Sequence, residues 1–337
     1  MPSKKRDPNY HGPLTPPNGK HNKRADFIDY TEPRIYMFTI QKSPACPDFS
    51  RLTGDPRLPV GANGAPAVAH LETGGILSDE LKKTELMRPL DIKILNKVIM
   101  PDHAHLLVRV LRKLTVKVTS IIAAIESATT RRCRKAGLIA PDASAFSGEG
   151  INDIALYAQG QLDRLYKYID DNPRRLMIKR LHPDLFGREL GLRIGELEMD
   201  AVGNMFLLRK PLMAVHVRRK WIEAEREEYR ERCLAFARHG GVLISPFISP
   251  HERAIMREAL DEGGSVIQIY ERGFGQRWKP AGKMFDICAE GRLLVMTESW
   301  RTTRADDMSY KKASHMNRVA EHIAIEAPRL AMRLRGG

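Results

Sequence analysis

The chain has 337 residues, with 55 Lys and Arg against 41 Asp and Glu, giving a formal net charge of +14. That length suits about two domains, each able to bury a sizeable core, and the charge favours a polyanionic partner, nucleic-acid phosphate first, with anionic membrane surfaces the alternative. No apolar run approaches the roughly 20 residues that span a bilayer, and the first residues lack the apolar core of a secretory signal, so a soluble, cytoplasmic protein is expected.

Residues 1–24 are rich in Pro, Gly, Lys and Arg and almost without apolar content, so 1–28 reads as a disordered basic arm. Order is expected from near Asp29, with residues 34–40 as a first strand. Residues 42–74 are rich in Pro, Gly and small residues and read as an elaborated loop, followed by Gly75-Ile76-Leu77 and a short helix over 78–86. Residues 91–100 then lead into Met100-Pro101-Asp102-His103-Ala104-His105-Leu106-Leu107-Val108. Side chains alternate along a strand, so Ala104, Leu106, Val108 and Val110 share one side and belong against a core. His103, His105, Leu107 and Arg109 share the other, where two imidazoles can converge on one divalent cation. Strand histidines are also commonly plain hydrogen-bonded residues. The apolar run Lys97-Val98-Ile99-Met100 and the turn-like Pro101-Asp102 favour the metal.

Residues 115–135 have a helical period, with Val118, Ile121, Ile122, Ile125 and Thr129 on the apolar side. The end of this helix carries Arg131, Arg132, Arg134 and Lys135. Such residues complement a helix dipole, but four charges within five residues exceed that need, so phosphate contact and a structural role stand equally open. Further on, Leu162, Leu165 and Ile169 form a core stripe that takes in Tyr166, which therefore packs. Tyr168 lines up instead with Gln161, Arg164 and Asn172 on the polar face, as a candidate nucleophile or as a surface ring lying over its neighbours. Arg174, Arg175, Lys179 and Arg180 follow it. With Arg164, Arg174 and Arg175 are the better candidates for DNA contact because they lie close to Tyr168 in the sequence.

The histidine segment resembles the signature of single-tyrosine HUH transposases, especially the REP-associated tyrosine transposases. Leu165-Tyr166-Lys167-Tyr168-Ile169-Asp170-Asp171-Asn172-Pro173-Arg174-Arg175 is similar to their Tyr-Ile-x-x-Asn-Pro segment, and Gly148-Glu149-Gly150-Ile151-Asn152-Asp153 to the strand-turn before it. The resemblance covers roughly residues 30–185. It implies an α+β domain over 29–188, a ferredoxin-like antiparallel sheet with helices on one face. It also implies that His103 and His105 hold a divalent metal, Mg²⁺ or Mn²⁺, and that Tyr168 attacks single-stranded or hairpin DNA to form a 5′-phosphotyrosine link. A third ligand about one turn after the nucleophile would be Asn172, although Pro173 biases that residue away from helical angles. The resemblance admits a homodimer. The chemistry is coherent, because a tyrosine hydroxyl, with a reference pKa of about 10, needs a base or a polarised phosphate before it attacks.

The second half, 189–337, changes character. A strand pair over 190–198 and 202–208 precedes a long charged helix over 215–238. Then come Gly240-Gly241-Val242-Leu243-Ile244-Ser245-Pro246, a helix over 251–261, a strand over 265–270, a short helix over 284–289 and a strand over 292–296. Strands alternating with helices predict a parallel α/β layer, similar in pattern to the Rossmann-like domains of the DNA-processing protein DprA. Gly240-Gly241 and Gly263-Gly264 fit neither the Rossmann nor the Walker A pattern and read as turns. Ser245, Ser249 and His251 lack the spacing of a nucleophile elbow. Four cysteines, Cys46, Cys133, Cys233 and Cys288, are far apart, against a zinc ribbon or disulfide framework. Two functions from different classes follow: a metal-dependent enzyme that cuts and joins single-stranded DNA, or a DNA-binding or regulatory protein derived from one that no longer catalyses. The presence of His103, His105 and Tyr168 together favours the enzyme.

Overall fold

The computed structural model describes residues 28–148, 151–158, 160–275, 278–303 and 307–333. Apart from Ile28, the expected basic arm lies outside the described residues. The protein is mixed α and β, with eight α-helices among the described residues. It separates into two compact units, Met1–Met177 and Ile178–Gly337.

The first unit runs β1 (Ile35–Gln41), β2 (Ser50–Thr53), β3 (Ala67–His70), α1 (Glu72–Met87), β4 (Ile92–Ile99), β5 (His103–Val110), α2 (Val118–Lys135), β6 (Asn152–Ala155) and α3 (Gln161–Leu181). Four strands form a sheet in the order β4-β5-β1-β6, every neighbouring pair antiparallel. Alternation decides the two faces. Tyr36, Phe38 and Ile40 of β1 join Ala104, Leu106, Val108 and Val110 of β5 in one core, closed by Leu77 and Leu81 of α1 and Val118, Ile121, Ile122 and Ile125 of α2. The opposite face is apolar too. Met37, Val98, Met100 and Leu107 there pack under Ile169 of α3. Helices therefore cover both faces, not one as expected, because leaving that second apolar set in water would forfeit about 1.5–3 kcal/mol for each large side chain.

The expected loop over 42–74 instead contains the β2-β3 hairpin, whose Leu52 and Val68 lie against the α3 side of the sheet. Gly75-Ile76-Leu77 is helical, inside α1. The helix can begin so early because Gly74 meets the chain without a side chain: a Cβ there would stand 1.9 Å from the carbonyl oxygen of Phe49.

The docking of α3 is set by an irregularity in β4. The ladder with β5 shifts register between Ile94 and Asn96, and such a bulge turns a backbone group out of the ladder. The carbonyl of Leu95 accepts the Tyr166 hydroxyl at 3.1 Å, and the side-chain amide of Asn96 donates to Asp170 Oδ1 at 2.8 Å. Tyr166 and Asp170 are one helical turn apart. Together they fix the rotation of α3. The helix also continues through Pro173, so Asn172 is helical where its neighbour predicts otherwise. Its side-chain amide donates to the Tyr168 carbonyl at 2.6 Å.

The second unit runs α4 (Pro183–Phe186), β7 (Arg188–Ile194), β8 (Leu197–Gly203), a short 3-10 turn (Met205–Arg209), β9 (Leu212–Ala214), α5 (Glu223–Arg238), β10 (Val242–Ser245), α6 (Pro250–Asp261), β11 (Ser265–Ile269), α7 (Lys283–Ala289), β12 (Leu293–Glu298) and α8 (Tyr310–Arg333). The sheet order is β7-β8-β12-β11-β10-β9. Strands β9 to β12 are parallel, and the β7-β8 hairpin adds antiparallel to β12. Because the parallel strands follow one another in one direction, same-handed crossovers lay α5, α6 and α7 on one face. Leu234, Ile255 and Ile287 share a core there. Met316, Val319 and Ile323 of α8 cover the other face.

Several boundaries differ from expectation. The hairpin turns at Gly195, whose φ of 58° suits glycine, rather than near residue 200. The second strand stops at Gly203, where a Cβ would lie 2.3 Å from the Leu293 carbonyl. Asn204 then accepts from the Phe206 amide to start the 3-10 turn. The charged helix begins at Glu223 rather than residue 215: the Val215 amide still bonds the Ile244 carbonyl beside β9, and the Glu225 carboxylate accepts from the Ile222 amide at 2.8 Å where the first turn starts. Helix α8 is absent from the pattern read along the sequence.

Candidate active site

His103 and His105 project from β5 on the face turned away from the main core, with His105 only 5% exposed. Their rings meet edge to face with centroids 4.7 Å apart. Each ring is held at Nδ1 by a different partner. Asp102 Oδ1, in the turn that opens β5, lies 2.7 Å from Nδ1 of His103. The hydroxyl oxygen of Thr39 lies 2.9 Å from Nδ1 of His105, as the register dictates, since Thr39 on β1 sits directly opposite His105.

Tyr168 comes down onto this pair from α3. Its hydroxyl stands 3.4 Å from His105 Nε2, with the two ring centroids 5.3 Å apart. That distance is long for a hydrogen bond and within the range of a site that tightens around substrate. The helix face that periodicity marks as polar thus turns towards the sheet from Tyr168 onwards, while its first turn at Arg164 stays in solvent. Asn172 is 8% exposed and Arg175 is 9% exposed. The Arg175 guanidinium lies 5.8 Å over the Tyr168 ring, where cation and ring quadrupole attract. Arg174 is paired with Asp171 at 2.6 Å, and Arg164 is exposed near the start of the helix.

The basic end of α2 is not brought to this place. That helix packs on the opposite face of the sheet from Tyr168. Arg132 bonds Glu80 at 3.0 Å and Asp79 at 3.4 Å, and Arg134 caps the carbonyls of Ala143 and Asp142. Arg131 and Lys135 are exposed. Two groups at the site were not singled out from the sequence. Thr39 is silent until strand register is known. Asp102, beside His103 in the quoted segment, could have been found from that adjacency alone.

As a metal centre the donor set is partial. Two imidazoles share one face, but no group of three His, Cys, Asp or Glu is placed to hold a cation among the described residues. The Asn172 amide nitrogen is committed to the Tyr168 carbonyl, which leaves its oxygen as the one atom of that side chain suited to a metal. No helix among the described residues is long and apolar enough to cross a membrane.

No protein-family model matches the chain, and no curated protein matches it by sequence. Among solved structures, it is similar to a REP-associated tyrosine transposase bound to a REP hairpin, at 17% identity and a TM-score of 0.30, over 45% of this chain and 72% of that one. It is similar to DNA processing protein A from Helicobacter pylori, a structure describing a single-stranded DNA binding mode, at 13% identity and a TM-score of 0.30, over 41% of this chain and 66% of that one. A candidate transposase from Deinococcus radiodurans aligns at 14% identity and a TM-score of 0.23, over 44% of this chain and 96% of that one.

Proposed function

We propose that the protein cuts and rejoins single-stranded or hairpin DNA through a covalent tyrosine intermediate, with Tyr168 as nucleophile. The observation that carries this is the meeting of the Tyr168 hydroxyl with the His103–His105 pair on the less populated face of the sheet, 3.4 Å from His105 Nε2. The Tyr168 oxygen attacks the scissile phosphorus, an oxygen–phosphorus bond forms and the bond to the 3′ oxygen breaks. The phenol loses a proton and the leaving 3′ oxygen gains one, so the step is balanced and, by conserving the phosphodiester, reversible. His103 and His105 are the residues that would hold a divalent metal, Mg²⁺ or Mn²⁺, with Asn172 Oδ1 the candidate third donor. When bound, that ion supplies Lewis-acid polarisation of the phosphate oxygens. Arg175, beneath the Tyr168 ring, and Arg164 and Arg174 on the same helix supply positive charge for the phosphate.

The strand order β4-β5-β1-β6 supports a ferredoxin-like reading of the first unit, and the parallel run β9 to β12 supports a Rossmann-like reading of the second. In this reading residues 29–188 carry the chemistry, 189–337 form an accessory domain, and the protein works in the cytoplasm.

The test is incubation of the full chain with labelled single-stranded and hairpin DNA in Mg²⁺ or Mn²⁺. A covalent adduct is expected, absent in Tyr168→Phe and lost together with metal dependence in the double variant His103→Ala, His105→Ala. DNA binding with no adduct under any of these conditions would show a binding or regulatory protein instead, and adduct persisting in Tyr168→Phe would displace Tyr168.

A further inference from the structure

His105 is 5% exposed, and a neutral imidazole carries one proton on one of two nitrogens. Which nitrogen carries it decides what the ring can do for Tyr168. With the proton on Nε2, the atom 3.4 Å from the hydroxyl offers a hydrogen and can neither take the phenol proton nor bind a cation. With the proton on Nδ1, a lone pair faces the tyrosine and either accepts the phenol's hydrogen, as in the metal-free protein, or binds a cation, one at a time. The group at Nδ1 is the hydroxyl of Thr39, 2.9 Å away, and a hydroxyl can donate or accept.

We propose that Thr39 is the positioning residue of the site: its hydroxyl oxygen accepts the Nδ1 proton of His105 and so holds the ring with its Nε2 lone pair towards Tyr168. The inference rests on the reading of His105 and Tyr168 as the reactive pair. Three observations carry it. In this arrangement hydrogens run in one direction, Tyr168 Oη–H to Nε2 and Nδ1–H to Thr39 Oγ1, and such chains strengthen one another. The neighbouring ring has its Nδ1 2.7 Å from the carboxylate of Asp102, which when ionised only accepts, so His103 carries its proton on Nδ1 and presents Nε2, the arrangement proposed for His105. Finally, Thr39 is directly opposite His105 in the ladder, where facing side chains lie about 5 Å apart at Cβ, and its branched Cβ restricts the hydroxyl's direction. The difference between the two partners follows from burial. The Asp102 side chain is 65% exposed and keeps its charge in water. A carboxylate at position 39, against the buried His105, would cost desolvation and set a negative charge where a phosphate must approach.

The experiment measures histidine ring ¹⁵N resonances of the full-length protein without metal, above the ordinary titration range of histidine, with His105 assigned by its loss in His105→Gln. The wild type is expected to show Nδ1 protonated and Nε2 bare. Thr39→Val, which keeps the shape and removes the hydroxyl, is expected to shift His105 towards the Nε2-protonated form and to slow adduct formation about 10–100-fold, as loss of a supporting partner does. Thr39→Ser should restore both. An Nε2-protonated His105 in the wild type overturns the proposal without any variant, and so does an unchanged tautomer in Thr39→Val. If Tyr168→Phe abolishes the adduct while Thr39→Val reacts at the wild-type rate, the inference fails and the functional reading stands. If the wild type forms no adduct, that reading fails, and the ring resonances still decide the role of Thr39.

Discussion

Two tyrosines two residues apart on one helix place their hydroxyls against different partners. Tyr166 reaches the carbonyl released by the β4 bulge, at 3.1 Å. Tyr168 reaches an imidazole nitrogen. Both rings lie against the same apolar cluster, so burial alone does not tell the proposed nucleophile from an anchor. The chemistry of the partner does. Tyr166→Phe is expected to lower stability by about 1 kcal/mol, the usual net worth of one such hydrogen bond, while adduct still forms. Thermal unfolding beside the adduct assay checks both halves, and loss of adduct in a folded Tyr166→Phe protein would exchange the roles of the two residues.

Among the elements, α2 shows how a charge cluster divides once it is folded. Its four basic residues look equivalent in sequence. In the fold, Arg132 neutralises Glu80, whose side chain is 8% exposed against 44% for the arginine, and Arg134 satisfies two loop carbonyls. Arg132→Ala should therefore lower stability, by only about 1 kcal/mol because water screens the half-exposed guanidinium. Arg131→Ala and Lys135→Ala should leave the melting temperature within experimental scatter. A DNA contact at this end of α2 belongs to Arg131 and Lys135, so only these two should weaken DNA binding. A loss of affinity confined to Arg132→Ala in a stably folded protein would contradict that division.

At the scale of the whole molecule, the cysteines of both units are buried. Burial pushes the Cys46 and Cys233 thiols up to about 11 and that of Cys288 up to about 12, from an ordinary value of 9.0. Below 9.0 these thiols are neutral in the folded and the unfolded chain alike and add no pH dependence. Above it the unfolded chain releases protons that the folded chain retains, so stability falls as pH rises towards the folded values. Thermal melts should therefore drop steadily on the alkaline side, and the thiols should resist alkylation at neutral pH until the protein unfolds. Fast alkylation of the native protein at neutral pH would show that these sites open to solvent.

The histidine strand was legible from local pattern, since a period of two and an apolar partner face leave a strand little freedom to turn over. So were the apolar side of α2 and the alternation of strands and helices after residue 240, patterns carried by neighbours a few positions apart. The β2-β3 hairpin escaped because its short strands sit among Pro and Gly that signal a loop, whereas α8 was legible in principle, since Met316, Val319 and Ile323 repeat at helical spacing. The folded chain shows what no local pattern could, that α3 covers the second face of the sheet and that its Tyr168, Asn172 and Arg175 turn inwards. It alone set Thr39 against His105 and put the α2 cluster on the far face. Each of these depends on strand register or on the docking angle of a helix, which are fixed by contacts between residues far apart in the chain, such as Tyr30 with Asp153, 123 positions apart, and Asn96 with Asp170, 74 apart. Local periodicity carries no record of such pairs, because it reports which way a side chain points relative to its own element and not which element it will meet.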